Sequence, residues 1–187
     1  RAVIPWTILL DEPITAGTLF WVDEGTDTGP ILAQHFFHVA PDETAATLYR
    51  RHMDTLQAML DETLPALAAG TARREVQDER FATWAAKRTP EDGRIDWNEP
   101  AASVHRLIRA VGRPYPGALT SCGEEQLTIW SAELWPDGSR HVGLAGQVLA
   151  RGEDWFTVRC GEGQALRVSE FEGSMPRLHT RLGRPNG

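Results

Sequence analysis

Three acids and two glycines crowd residues 22–34, VDEGTDTGPILAQ. A carboxylate set among glycines can orient a base or take a proton once it is held against a partner. Residues 18–22 (TLFWV) are β-branched and aromatic and read as a strand, and residues 31–39 read as a second, so residues 23–30 connect them. Asp27 stands between Thr26 and Thr28, directly before Gly29-Pro30, where local hydrogen bonds can pin its side chain and aim it back across the sheet. It reads as a buried acid, the alternative being a turn aspartate that only caps its own loop. Gly25 and Gly29 let the backbone come close to something flat.

The run D-x-G-x-D-x-G-x-I-L-x-Q, Asp23 to Gln34 here, resembles the catalytic loop of the folate-dependent formyltransferases. That family includes methionyl-tRNA formyltransferase, glycinamide ribonucleotide transformylase and the enzyme that formylates 4-amino-4-deoxyarabinose. The resemblance makes Asp27 one of three catalytic residues, the others being an Asn and a His on an N-x-H segment. It makes 10-formyltetrahydrofolate the co-substrate, held partly through the loop backbone at Asp23, Glu24, Gly25, Thr26 and Asp27. Arg1 aligns with an arginine that holds substrate or cofactor in some members, and a guanidinium fork suits phosphate or carboxylate. This sequence contains no N-x-H. The expectation is therefore a piece of a longer protein, inactive by itself, with the first half of the α/β domain preceding Arg1.

Two further stretches carry the same resemblance. Gln77-Asp78, Ala82-Thr83 and Lys87 to Trp97, with Ile95-Asp96-Trp97, are similar to the family's interdomain segment. Read as physics alone, residues 71–99 are a linker strapped down by its tryptophans. Pro114-Tyr115-Pro116-Gly117-Ala118, Gly146-Gln147-Val148 and residues 160–166 (CGEGQAL) resemble motifs of the family's C-terminal, OB-like domain.

The elements that must position this chemistry follow from pattern. Residues 3–10 form a short apolar segment ended by Asp11-Glu12-Pro13. Asp42 is a good N-cap for a long helix with apolar positions at Leu48, Tyr49, His52, Leu56, Met59, Leu60, Leu64 and Leu67, interrupted by Pro65 and closed by Gly70. Pro100 opens a second helix with Val104, Leu107, Ile108 and Val111 on one face. Beyond it, residues 113–118 are extended, and strands are expected at 126–134, 146–151, 155–160 and 166–171, enough for a small open barrel. The pattern reads as α/β, and the resemblance implies that residues 1–70 are the C-terminal half of a Rossmann-like formyltransferase domain, 71–99 the interdomain linker and 100–187 a small OB-like β-barrel.

Bulk composition narrows the partners. Residues 1–112 carry 11 basic and 17 acidic side chains and residues 113–187 carry 8 and 9, so neither half has the basic excess of a strong nucleic-acid binder. No apolar run approaches the ~20 residues that span a bilayer, and no membrane partner is expected. Cys122 and Cys160 fit neither a disulfide framework nor a metal site, which suits a reducing cytoplasm. His35 and His38 are three apart on a strand and point to opposite faces, so no metal is expected. His52 is expected to be packed, Glu91, Asp92 and Asp96 to cap turns, and Trp130, Trp135 and Trp155, lacking basic neighbours, to sit in core or rim.

The resemblance implies formyl transfer to a primary amine. Where methionyl-tRNA enzymes usually show a Q-P-A-G-K-K-like segment, this chain has residues 169–173 (SEFEG). Residues 88–92 and 115–118 look closer to the sugar-amine branch, so the expected partner is a small-molecule amine, such as a nucleotide-linked amino sugar. Initiator tRNA is the alternative. A different class of reading is a non-catalytic module whose barrel binds nucleic acid, which needs a basic, aromatic face. A third expectation is that half a sheet leaves an unpaired apolar edge and does not fold alone.

Overall fold

The computed structural model describes residues 2–183. Helix α1 (Val3–Leu9) leads into strands β1 (Ile14–Phe20) and β2 (Ile31–His38), an antiparallel hairpin with Thr18 opposite Gln34. The Gln34 amide donates to the Thr18 hydroxyl across the pair, 2.9 Å away. Strand β1 starts earlier than expected and ends before Trp21 and Val22, where the register shifts between Leu19 and Phe20. The connection between the strands is correspondingly longer.

Helix α2 (Ala45–Ala68) is capped by Thr44 rather than Asp42. Thr44 Oγ1 accepts from the Thr47 N–H at 3.2 Å while Thr47 Oγ1 accepts from the Thr44 N–H at 3.0 Å, a reciprocal box outside the reach of Asp42. Pro65 lies inside the helix, which continues to Ala68. The end is a Schellman turn: Gly70, at φ 70°, donates to the Leu67 carbonyl and Thr71 to the Ala66 carbonyl. Leu48 and Met59 are buried, whereas Tyr49 and Leu64 lie exposed. A Cβ on Gly17 would stand 3.0 Å from the Thr55 methyl, so glycine there lets α2 lie directly on β1.

Helix α3 (Ala101–Val111) buries Val104, Ile108 and Val111 and packs against α1 and the second sheet. That sheet holds β3 (Ala118–Cys122), β4 (Glu125–Leu134), β5 (Val148–Arg151), β6 (Phe156–Arg159) and β7 (Ala165–Glu172), all antiparallel, in the order β3-β4-β7-β6-β5. Strand β3 is the one that the sequence pattern did not single out.

The expected barrel does not close: the edge strands β3 and β5 do not pair with each other. Irregular segments cover them instead. Ile95 donates to the Leu119 carbonyl on one edge, and on the other Val148 donates to the Thr180 carbonyl and accepts from the His179 N–H. The same tail reaches across, Gly183 donating to the Ser121 carbonyl at 2.9 Å. Buried Trp97 sits beneath this seam, its indole N–H on the Thr120 hydroxyl at 2.9 Å.

One cluster of buried side chains runs from Ile8, Ala45 and Leu48 through α3 into Leu127, Ile129, Phe156 and Val168. At the junction Glu43, 5% exposed, takes the Arg51 guanidinium at 2.5 Å, and Arg109 donates to the Glu43 carbonyl at 2.6 Å. Among the described residues no helix is long and apolar enough to cross a membrane.

Candidate functional site

The loop between β1 and β2 is built from two glycines and a side-chain hydrogen bond. Asp23 Oδ1 accepts from the Gly25 N–H at 3.0 Å and from the Thr28 hydroxyl at 2.7 Å. A Cβ on Gly25 would fall 2.0 Å from Thr28 Oγ1, so glycine there leaves the Thr28 hydroxyl free to reach Asp23. Gly29 is buried, and its Cβ would fall 1.5 Å from the Trp21 carbonyl oxygen. The Trp21 N–H closes the base of the loop on the Pro30 carbonyl at 2.9 Å.

Between these anchors Asp27 adopts φ 58°, in the left-handed region that aspartate tolerates better than most residues. Its side chain is exposed and makes no hydrogen bond among the described residues. The expectation of a dry, locally pinned Asp27 is thus corrected. The pinned acid is Asp23, whose oxygen took the two local donors, and the left-handed turn carries Asp27 outward at the tip. Glu24, Gly25 and Thr26 are exposed beside it. The backbone groups of Glu24 and Thr26 have no intramolecular partner among the described residues, leaving donors and acceptors open along one side of the loop. Arg1 lies outside the described residues.

A second segment holds the loop from behind. The Trp21 indole N–H donates to the Arg73 carbonyl at 2.9 Å, and the Arg74 guanidinium lies over the same ring. Ile31 and Glu75 exchange backbone bonds at 2.7 and 3.0 Å. Gln77 Nε2 then donates to the carbonyls of Asp27, at 2.9 Å, and Gly29, at 2.7 Å. Farther on, the Trp6 indole N–H donates to the Ala86 carbonyl and Arg88 lies over its ring. Residues 73–88 are therefore strapped by Trp21 and Trp6. Trp84, expected as a strap, is 89% exposed, and only Trp97 is buried. Gln77 carried a motif match in the sequence but no periodic signal, and nothing local revealed its target 50 residues away.

Among the other groups, His52 is packed as expected, edge-on to Phe37 at 4.9 Å, with burial holding its pKa below the ordinary value. His35 pairs with Glu62 at 2.9 Å, away from His38. Asp92 caps the short 3-10 turn at Pro90–Gly93, and Asp96 accepts from the Asn98 N–H. Two tryptophans of the second sheet do have basic neighbours, contrary to expectation: Arg113 lies over Trp130 and Arg167 over Trp155. Each of those arginines also faces a glutamate, Glu170 and Glu133 respectively, so their charge is answered within the fold. One face of each ring is thus taken by a guanidinium rather than left for a base. Among the described residues no three His, Cys, Asp or Glu side chains cluster as a metal site.

Residues 2–64 match the family model described as formyl transferase, and residues 87–175 match the model of the formyl transferase C-terminal domain. The chain belongs to the formyltransferase family. Its fold is similar to HypX from Aquifex aeolicus, solved with tetrahydrofolic acid, with 22% identity and a TM-score of 0.78 over 91% of this chain and 29% of that one. An N-formyltransferase from Helicobacter canadensis, solved with folinic acid and dTDP-3-aminofucose, is 18% identical with a TM-score of 0.64, over 90% of this chain and 60% of that one. Methionyl-tRNA formyltransferase from Clostridium thermocellum is 22% identical with a TM-score of 0.55, over 70% of this chain and 55% of that one. The chain thus spans under a third of HypX and about three fifths of the sugar enzyme.

Proposed function

We propose that this chain serves formyl transfer from 10-formyltetrahydrofolate to the primary amine of a small molecule, an amino sugar carried on a nucleotide. Such a transfer needs a neutral amine, a donor for the tetrahedral oxyanion and a route for one proton from the attacking to the leaving nitrogen. Asp27 supplies the carboxylate that orients an imidazole and favours its charged form. One observation carries this reading: of the loop's two aspartates, Asp23 is consumed in holding the turn, while Asp27 is presented at the tip with its carboxylate unengaged. A carboxylate with only a capping duty would show the opposite pattern.

The loop also fits the co-substrate. A pterin presents a flat edge of alternating donors and acceptors, and along the stretch Asp23, Glu24, Gly25, Thr26 and Asp27 the open backbone groups of Glu24 and Thr26 offer partners for it, with no side chain at Gly25 between them. Residues 1–70 then belong to the catalytic domain, 71–99 to the linker and 100–187 to the family's OB-like unit. Arg1 is the proposed substrate contact. The amino-sugar choice draws support from the arginines over Trp130 and Trp155, each paired with a glutamate and so less available to tRNA phosphates.

In the natural full-length protein, Asp27→Asn should lower kcat by about 10²-fold or more while folinic acid binding changes far less. An unchanged kcat removes Asp27 from the chemistry. The 187-residue chain alone, without N-x-H, should not turn over.

A further inference from the structure

The Gln77 side chain carries out a task that no residue of the loop performs. Its amide nitrogen is the only group of that side chain able to face two carbonyl oxygens, so the amide orientation follows from its partners. The two N–H bonds of one amide diverge, and a single NH2 group reaches both carbonyls only when the backbone from Asp27 to Gly29 curls around it. That curl is the conformation in which Asp27 stands at φ 58°. A non-glycine residue there costs on the order of 1–2 kcal/mol against the right-handed region, and persists where the surroundings over-determine it.

Gln77 is itself anchored. Two residues before it, Glu75 is locked to Ile31 in both directions, and directly after it Asp78 caps the following 3-10 turn through the Arg80 N–H. The side chain therefore extends from a fixed backbone to the loop. No atom of Asp27's carboxylate is involved, so Gln77 sets where that carboxylate points without touching it.

We infer that Gln77 is a positioning residue for formyl transfer, acting on the reaction only through the left-handed turn at Asp27. The inference rests on the role proposed above for Asp27. It predicts that the Gln77 effect exists only while the Asp27 carboxylate is present. Misplacing an orienting group by about an ångström costs roughly 10- to 100-fold in rate.

The test uses the natural full-length protein with 10-formyltetrahydrofolate and dTDP-3-aminofucose as probes, in Gln77→Met, Asp27→Asn and the double variant. Methionine keeps the length and bulk of the side chain and removes both donors, and Gln77→Glu repeats the loss with the isosteric acid. At saturating 10-formyltetrahydrofolate, Gln77→Met should lower kcat about 10- to 100-fold with a small change in KM for the amine, and the double variant should be no slower than Asp27→Asn alone. A double variant slower by the product of the two single effects overturns the inference, as does Gln77→Met matching the wild type while Asp27→Asn is inactive. Amide hydrogen exchange across residues 23–30 gives a readout independent of the amine. Gln77→Met should speed it there and leave residues 127–129 unchanged; an unaltered loop overturns the clamp. If Asp27→Asn is fully active while Gln77→Met still loosens the loop, the role given to Asp27 fails and the clamp stands as purely structural.

Discussion

The Arg74 guanidinium lies over the Trp21 ring with its central carbon 3.9 Å from the ring centroid. The same indole donates to the neighbouring Arg73 carbonyl, so one tryptophan at the mouth of the loop grips residues 73 and 74 together. Arg74→Ala should cost about 0.5–1 kcal/mol, as for a cation–π contact at a partly exposed site. Trp21→Leu, which also removes the hydrogen bond, should cost about 2 kcal/mol. Denaturant midpoints measure both, and equal losses would mean that the indole N–H contributes nothing.

Glu43 predicts an acid-sensitive junction between the hairpin side and α3. Burial pushes its pKa up, but hydrogen bonds from the Thr47 side chain, Arg51 and the Ala40 N–H, together with the Arg51 charge, outweigh it and hold the carboxyl below the ordinary glutamate value. A lowered folded pKa stabilises the fold above the unfolded value, and that contribution is lost as pH falls through the folded one. Glu43→Gln should therefore cost about 1–3 kcal/mol at neutral pH, with the gap from wild type narrowing only below pH 4.5. A gap that stays constant down to acid unfolding would remove the ionised carboxylate from the account.

The loop and its acids were legible in the sequence because glycine and aspartate at fixed spacing are local signals. The same holds for α3, whose apolar face and closing Gly112 come from neighbouring residues. What the pattern missed came from partners far along the chain. Asp27 was expected to be buried because its neighbours can hydrogen-bond it, yet Asp23 captured both donors. Closure of the second sheet was expected from the number of strands, whereas two residues outside the strands, Ile95 and Gly183, bond to the edge strand β3 that no other strand covers on that side. No period in the sequence encodes such a seam.

Glycines at positions 29 and 70 separate two reasons for glycine. Nothing lies within 4 Å of a Cβ on Gly70, so Gly70→Ala suffers only from its φ of 70° and should cost about 1 kcal/mol without affecting the formyl transfer proposed above. Gly29→Ala instead drives a methyl into the Trp21 carbonyl, which is backbone and cannot swing aside. The turn beneath Asp27 must then move. Its signature should be a loss of kcat well beyond any loss of melting temperature, and comparable activity in the two alanine variants would detach the loop geometry from catalysis.

Cys160 supplies a probe of the second sheet that does not depend on the reaction. It is 2% exposed, and burial pushes its thiol up to about 12 from an ordinary value of 9.0. At pH 8 only about 10⁻⁴ of the folded molecules carry the thiolate there, and the thiolate is the nucleophile. Iodoacetamide should therefore label Cys160 at the rate of unfolding, while the half-buried Cys122 reacts first. The raised pKa also sets a sign: above pH 9.0 the unfolded chain releases a proton that the folded chain retains until about 12. Stability should fall across that window by up to about 1.4 kcal/mol per pH unit from this group. Cys160→Ala should flatten the decline, and an identical alkaline slope in the variant would mean that other groups drive it.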